Sequence, residues 1–124
     1  MPENPDTFLE IDLEAFAHNY RVIRSRLRPE TRLMGVVKAF AYGSESHAIA
    51  QKLESLGADY LAVAFTREGV RLRKLGLRLP IMVLHPQPEN LEDLITHCLE
   101  PCMYSRRILT HFLNTAKELH QKDY

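Results

Sequence analysis

The sequence predicts an α/β fold with a parallel sheet, built from repeated strand–helix units. Short apolar runs begin near residues 33, 60, 80 and 99, and an amphipathic helical pattern follows each of them. The runs are nearly continuous rather than alternating, which is typical of strands covered on both faces. No low-complexity or linker-like stretch divides the chain of 124 residues. We therefore expect a single domain.

The composition disfavours several classes of partner. Sixteen Lys and Arg residues balance sixteen Asp and Glu residues, whereas binding to nucleic acid or to anionic membranes needs a clustered positive surplus. No apolar run approaches the length of a membrane-spanning helix. The acidic, proline-rich N-terminus does not resemble a secretory signal. A cytoplasmic protein with no nucleic-acid partner and no membrane partner is expected.

The two cysteines, Cys98 and Cys102, lie four residues apart and next to His97. Without a second pair of ligands this spacing does not specify a zinc site, so no metal is expected. Two cysteines in a chain of this kind are expected to be reduced thiols, as is usual in the cytosol.

The first units are delimited by capping residues. Residues 8–11 form a short strand candidate, and Asp12 is placed to cap a helix that ends before Pro29. The apolar face of this helix consists of Phe16, Tyr20, Ile23 and Leu27. A strand over residues 32–37 follows, and then a helix that Ser44 or Ser46 is placed to cap. Gly57 stands where a left-handed C-terminal cap is needed.

The remaining units repeat the same pattern. A strand over residues 59–65 leads to a helix that Thr66 is placed to cap and that Gly76 ends. The third strand, residues 79–84, is followed by a proline-bounded loop and a short helix. Residues 99–104 form a weaker fourth strand, and Ser105 caps the final helix.

Two architectures fit these units: a doubly wound open sheet and part of a (β/α)8 barrel. A complete barrel needs about 250 residues, and this chain supplies about half of that number. A half barrel would leave two sheet edges unpaired, which natural proteins normally avoid. If the barrel interpretation is right, we expect the chain to be incomplete.

One strand ends on a lysine, in the run LMGVVKAFAYGSES of residues 33–46. Ligand sites of parallel α/β folds lie beyond the carboxyl ends of the strands, which is where Lys38 is expected. Apolar surroundings would lower its pKa by desolvation, and only the neutral amine attacks a carbonyl. The Tyr42 phenol can donate a hydrogen bond to a phosphate, and Gly43 and the helix start beyond it expose N–H groups suited to an anion.

These residues predict a site for a phosphate-bearing aldehyde such as pyridoxal phosphate. The alternative is a surface lysine whose ammonium reaches solvent. His85 and Tyr104 follow the third and fourth strands and are candidates to line the same edge, although ordinary loop positions explain them more simply.

The run VVKAFAYG resembles the pyridoxal-phosphate signature of the alanine racemases, V-V-K-A-x-A-Y-G. The resemblance extends along nearly the whole chain. Residues 9–27 are similar to the family's N-terminal strand and helix, residues 53–84 to its second and third barrel units, and LEPCMYS to its fourth strand. It implies the N-terminal half of a TIM-type (β/α)8 barrel over residues 1–124, ending before the fifth strand.

For function, the resemblance implies a pyridoxal-phosphate-dependent isomerase that interconverts L-alanine and D-alanine for peptidoglycan synthesis and works as a homodimer. Lys38 would bind the cofactor as a Schiff base and act as one of two catalytic bases, and Tyr42 would hydrogen-bond the cofactor phosphate. The family's second base and its ring-binding arginines lie outside this chain, so the isolated chain is expected to be inactive. Some bacteria fuse the racemase behind a Mur ligase, and this chain is compatible with part of such a fusion.

The resemblance has one departure and leaves alternatives. The family commonly continues A-Y-G-H-G, whereas this chain reads AYGSES, so the helix start near the phosphate is expected to differ. The alternatives are a non-catalytic cofactor-homeostasis protein, a related decarboxylase and an inactive truncated barrel. The homeostasis proteins lack this Ala-Tyr-Gly continuation, and the decarboxylase motif usually has no tyrosine four residues after its lysine. Both differences favour a racemase.

Overall fold

The computed structural model describes residues 7–43 and 45–124. Helices and strands alternate in the order α1 (Leu13–Ser25), β1 (Met34–Val36), α2 (Ser46–Ser55), β2 (Tyr60–Val63), α3 (Thr66–Lys74), β3 (Ile81–Val83), α4 (Leu91–Thr96), β4 (Glu100–Pro101) and α5 (Arg106–Glu118). A 3-10 helix, Pro88–Asn90, leads into α4. A helical turn, Lys38–Gly43, lies between β1 and α2. Among these residues no helix combines the length and the apolar character that crossing a bilayer requires.

The four strands form one parallel sheet in the order β1-β2-β3-β4. Gly35 pairs with Leu61, and Leu61 pairs in turn with Ile81. Each strand therefore lies beside the next one in the chain, with a helical crossover between them. A doubly wound sheet reverses its strand order at a switch point, whereas a barrel adds each strand on the same side. The observed order is that of half a (β/α)8 barrel, which confirms this interpretation.

The helices cover one face of the sheet and form the core with it. Leu61 and Ile81 lie on this face and are fully buried. The helix residues packed in the same core include Ile49, Leu53, Leu72, Leu94 and Ile108. The hydrophobic packing of this chain is therefore concentrated between the sheet and a single layer of helices.

The opposite face of the sheet is open in the described part of the chain. Met34 and Val36 lie on it and are 38% and 43% exposed. The prediction that both faces are covered is therefore wrong for this chain, because the pleat directs alternate residues away from the helices. This open face corresponds to the interior of a barrel.

Most of the predicted helix ends are confirmed. The Asp12 carboxylate caps α1 by accepting hydrogen bonds from the N–H groups of Glu14 and Ala15. The Ser105 hydroxyl accepts from the N–H of Ile108 in α5. Gly57 follows α2 with φ of 83°, a left-handed conformation in which a glycine meets no Cβ clash.

The N-terminal segment and the start of α3 differ from the predictions. Residues 8–11 form no strand in the described structure, and Phe8 and Leu9 are largely exposed. Thr66 is the first residue of α3 rather than its cap, and its hydroxyl has no hydrogen-bond partner within the described residues. Instead, the Glu68 carboxylate accepts hydrogen bonds from the N–H groups of Ala64 and Phe65, just before the helix.

Candidate active site

Lys38 follows directly on the end of the first strand. The N–H of Val37 donates to the carbonyl of Ala62 at 2.9 Å, so pairing with β2 continues one residue beyond β1. Val37 is buried, whereas Lys38 is partly exposed at the carboxyl edge of the sheet. The structure thus places Lys38 where the sequence predicted it, and its chemical role stays a prediction.

The backbone after Lys38 turns with the opposite hand to an ordinary α-helix. Ala39, Phe40, Ala41 and Tyr42 have φ values of 49°, 57°, 51° and 58°, with ψ between 37° and 52°. For an L-residue this conformation costs roughly 1–2 kcal/mol, because the Cβ crowds the following carbonyl oxygen. We call Lys38–Gly43 the left-handed turn. Contacts from outside the turn are needed to hold it.

The left-handed turn brings the two predicted site residues together. The Lys38 ammonium nitrogen lies 6.0 Å from the centroid of the Tyr42 ring. Tyr42 is 70% exposed. Within residues 7–43 and 45–124 no hydrogen bond engages the amine or the phenol, so both groups are available to a ligand at this edge.

Glu68 of α3 holds the first residue of the left-handed turn. Its Oε1 atom accepts a hydrogen bond from the N–H of Ala39 at 2.9 Å. Its Oε2 atom accepts from the N–H groups of Ala64 and Phe65, both at 2.8 Å. One carboxylate therefore joins the left-handed turn to the end of β2 and the start of α3. A glutamate in the first turn of a helix often accepts from the N–H before the helix, which could have revealed the contact with Phe65, but no sequence signal points to Ala39.

A second residue of α3 contacts the left-handed turn. The Arg71 guanidinium lies 5.2 Å from the centroid of the Phe40 ring, within the range of a cation–π contact. Beneath these side chains is a cavity of about 40 Å³, lined in part by Ser46, Glu68 and Arg71. This volume suits one or a few water molecules rather than a cofactor. A larger ligand would have to lie outside this cavity, at the carboxyl edge of the sheet.

The start of α2 does not offer the anion site that the sequence suggested. Glu45 caps α2, with Oε1 accepting from the N–H of His47 at 3.1 Å and Oε2 from the N–H of Ala48 at 2.6 Å. The hydrogen bond from Ala48 is the main cause that holds the pKa of Glu45 below its usual value. At the helix start that the sequence suggested for an anion, the Glu45 carboxylate thus occupies the N–H groups of His47 and Ala48. Ser46 is the first residue of the helix, and Ser44 lies outside the described residues.

Replacement of Glu45 by glutamine is expected to lower the free energy of unfolding by up to about 1 kcal/mol at neutral pH, the usual contribution of a helix cap. Because folding lowers the Glu45 pKa, its ionised form stabilises the fold above the unfolded-state pKa of about 4.3. That stabilisation is lost as the pH falls through the lower folded-state pKa. Urea denaturation near neutral pH and near pH 3 measures the difference between wild type and variant. A difference that does not shrink in acid would contradict an ionised cap.

Three aromatic rings lie at the same edge, after β2, β3 and β4. The rings of His85 and Tyr104 stack with centroids 4.9 Å apart, and Phe65 meets His85 edge-on at 5.9 Å. The Tyr104 phenol donates to the carbonyl of Pro86 at 2.9 Å. His85 and Tyr104, which the sequence placed at this edge, are thus joined in a cluster of their own.

The cysteines lie near the two ends of β4, Cys98 before the strand and Cys102 directly after it. Cys98 and Cys102 are both free thiols, and Cys98 is exposed. In the part of the chain that the structure describes, no three His, Cys, Asp or Glu side chains are grouped so that they could hold a metal ion.

The sequence is similar to that of known proteins over nearly its whole length. The family model described as alanine racemase, N-terminal domain, matches residues 11–123. An alanine racemase from Syntrophobacter fumaroxidans is 38% identical over 114 residues, which cover 91% of this chain and 30% of that protein. One from Nostoc sp. is 37% identical, with 90% and 30% covered.

Solved structures agree with the sequence comparison. An alanine racemase from Clostridium difficile 630 superposes with a TM-score of 0.90 at 35% identity, covering 95% of this chain and 32% of that one. The same protein in complex with cycloserine gives a TM-score of 0.91 at 36% identity, with 94% and 32% covered. The chain spans about 30% of the length of the curated relatives that it matches.

Proposed function

The chain belongs to the alanine racemase N-terminal domain family, and we propose that it contributes the pyridoxal-phosphate lysine to the interconversion of L-alanine and D-alanine. The observation that carries this proposal is the pairing of Lys38 with Tyr42 on the left-handed turn, at the carboxyl edge of a parallel sheet. An amine and a phenol in this position suit a ligand that has both an aldehyde and a phosphate. A cytoplasmic location is part of the same proposal.

Pyridoxal phosphate supplies an electron sink that spreads the negative charge formed when an amino acid loses its Cα proton. Two groups of this chain fit it: the Lys38 amine would hold the aldehyde, and the Tyr42 phenol would donate a hydrogen bond to the phosphate. Since the cavity under the left-handed turn holds only about 40 Å³, we place the cofactor at the carboxyl edge of the sheet. The Glu45 carboxylate repels a phosphate from the start of α2, so Tyr42 is the phosphate partner that this chain offers.

Lys38 also has a proton-transfer role in this proposal. Its Nζ atom, when neutral, is a basic group at this edge that can take the Cα proton from one face of alanine. Racemisation requires a second group on the opposite face. We assign that group to the part of the relatives' length that this chain does not span. The parent protein works as a homodimer in this proposal.

The covalent part of the proposal is tested by reductive trapping. The 124-residue chain is mixed with pyridoxal phosphate, reduced with borohydride, digested and analysed by mass spectrometry. Near-stoichiometric label is expected on Lys38, with only traces on the other four lysines, Lys52, Lys74, Lys117 and Lys122. Label spread evenly over the five lysines, or no label on Lys38, would overturn the proposal.

Solvent exchange separates a racemase from a non-catalytic cofactor carrier. Exchange of the alanine Cα hydrogen in D₂O, followed by NMR, requires only one base. Exchange by the unreduced, cofactor-loaded chain is expected to be faster than with free pyridoxal phosphate. Label on Lys38 without faster exchange would favour the carrier.

A further inference from the structure

Glu68 connects the left-handed turn to β2 and α3 through a single carboxylate. The N–H of Ala39, which donates to Glu68 Oε1, belongs to the peptide group that follows Lys38 directly. Fixing this peptide fixes the direction in which the chain leaves the lysine. The other carboxylate oxygen is anchored on the N–H groups of Ala64 and Phe65, so the fixed point is tied to β2 and α3.

We propose that Glu68 is a positioning residue for Lys38, which orients the amine by holding the Ala39 N–H and with it the left-handed turn. This inference rests on the proposed function of Lys38. The turn needs such a hold, because residues 39–42 are not glycine and disfavour a left-handed backbone. The contact between Arg71 and Phe40 supports the turn from the same helix.

The chemistry of the site requires a carboxylate at this position. Three N–H donors converge on its two oxygens, and an ionised carboxylate is a group that only accepts. Glutamine has the same shape but offers one accepting oxygen and one NH₂ group, which faces an N–H donor without bonding to it. Glu68→Gln therefore breaks this arrangement with little change in side-chain volume.

Glu68 could instead matter only because it stabilises the start of α3. Glu54 provides a matched control for that possibility. Its Oε1 atom accepts hydrogen bonds from the N–H groups of Arg78 at 2.7 Å and Leu79 at 2.9 Å. These contacts precede β3, at the opposite edge of the sheet from Lys38. Glu54→Gln thus makes the same chemical change, with a comparable loss of backbone hydrogen bonds, away from the site.

The test measures cofactor uptake and backbone exchange in the wild-type chain and in both variants. Pyridoxal phosphate is titrated while the absorbance of the lysine-bound cofactor is followed, at a temperature where circular dichroism shows all three proteins folded. The Glu68→Gln variant is expected to bind about tenfold more weakly, as loss of a charge-assisted hydrogen bond implies. The Glu54→Gln variant is expected to stay within about twofold of wild type.

Amide hydrogen exchange provides a readout that does not depend on the cofactor. The amides of residues 39–42 are expected to exchange about tenfold faster in Glu68→Gln than in Glu54→Gln. Equal effects of the two variants on uptake and exchange would overturn the positioning role. If the wild-type chain takes up no cofactor, the proposed function of Lys38 fails, while amide exchange still decides whether Glu68 holds the turn.

A second variant covers the case in which Glu68→Gln does not fold. Glu68→Asp keeps the negative charge on a side chain one methylene shorter. It is expected to retain contacts at the start of α3, to lose the reach to Ala39 and to weaken uptake about as much as glutamine does. Wild-type uptake and wild-type exchange in this variant would overturn the proposal.

Discussion

The Lys38→Ala variant is expected to lose covalent uptake of pyridoxal phosphate completely, because alanine has no amine to hold the aldehyde. The absorbance of the lysine-bound cofactor should fall to the trace level that the other four lysines give, and reductive trapping should leave the peptide around residue 38 unlabelled. The fold should survive, since no hydrogen bond engages the Lys38 side chain within the described structure. We expect the free energy of unfolding to change by no more than about 0.5 kcal/mol.

Lys52→Ala is the control for this prediction. Lys52 forms a salt bridge with Glu14 at 2.6 Å on the surface between α1 and α2. An ion pair with an exposed carboxylate of this kind contributes little to stability, and Lys52 lies in the second half of α2, outside the left-handed turn. This variant should take up the cofactor as the wild type does. Residual uptake in Lys38→Ala, or a loss in Lys52→Ala, would show that another amine holds the aldehyde.

The order of the elements could be predicted because each unit has local signals of its own. Asp12 and Ser105 cap helices as their side-chain chemistry favours. The open face of the sheet could not be predicted, because the apolar run of β1 is continuous and does not show what covers each face. Val37 is buried and Val36 is 43% exposed, although the two are the same residue type.

The site was predictable in position but not in conformation. The strand pattern placed Lys38 and, four residues later, Tyr42 at the carboxyl edge of the sheet, and the structure has them there. The left-handed backbone between them could not be foreseen, because Ala39 and Phe40 have no local preference for it. Its support comes from Glu68, which is 29 residues from Ala39 in the sequence. Tertiary contact therefore overrides local preference here.

Arg73 joins the two loops that precede β3 and β4, at the opposite edge of the sheet from Lys38. Its guanidinium donates hydrogen bonds to four backbone carbonyls, those of Leu77, Leu79, His97 and Cys98. They lie in the two loops that precede β3 and β4, and the planar fork of the arginine reaches both loops at once. The loop hydrogen bonds between backbone groups in the described structure are accepted by other carbonyls. Arg73 is therefore the donor that these four carbonyls have.

The Arg73→Met variant is expected to lower the free energy of unfolding by about 2–4 kcal/mol, because it leaves partly buried carbonyls without a donor. Urea denaturation followed by circular dichroism measures this loss. The loss of stability in Arg73→Lys should lie between that of Arg73→Met and zero, since an ammonium cannot span both loops as the guanidinium does.

Arg67→Met is the control on the same helix. Arg67 is exposed and makes no hydrogen bond among the described residues, so its loss should cost about 0.5 kcal/mol or less. Equal losses in Arg73→Met and Arg67→Met would mean that water satisfies the four carbonyls as well as the guanidinium does, and that the loops before β3 and β4 are held by the core alone.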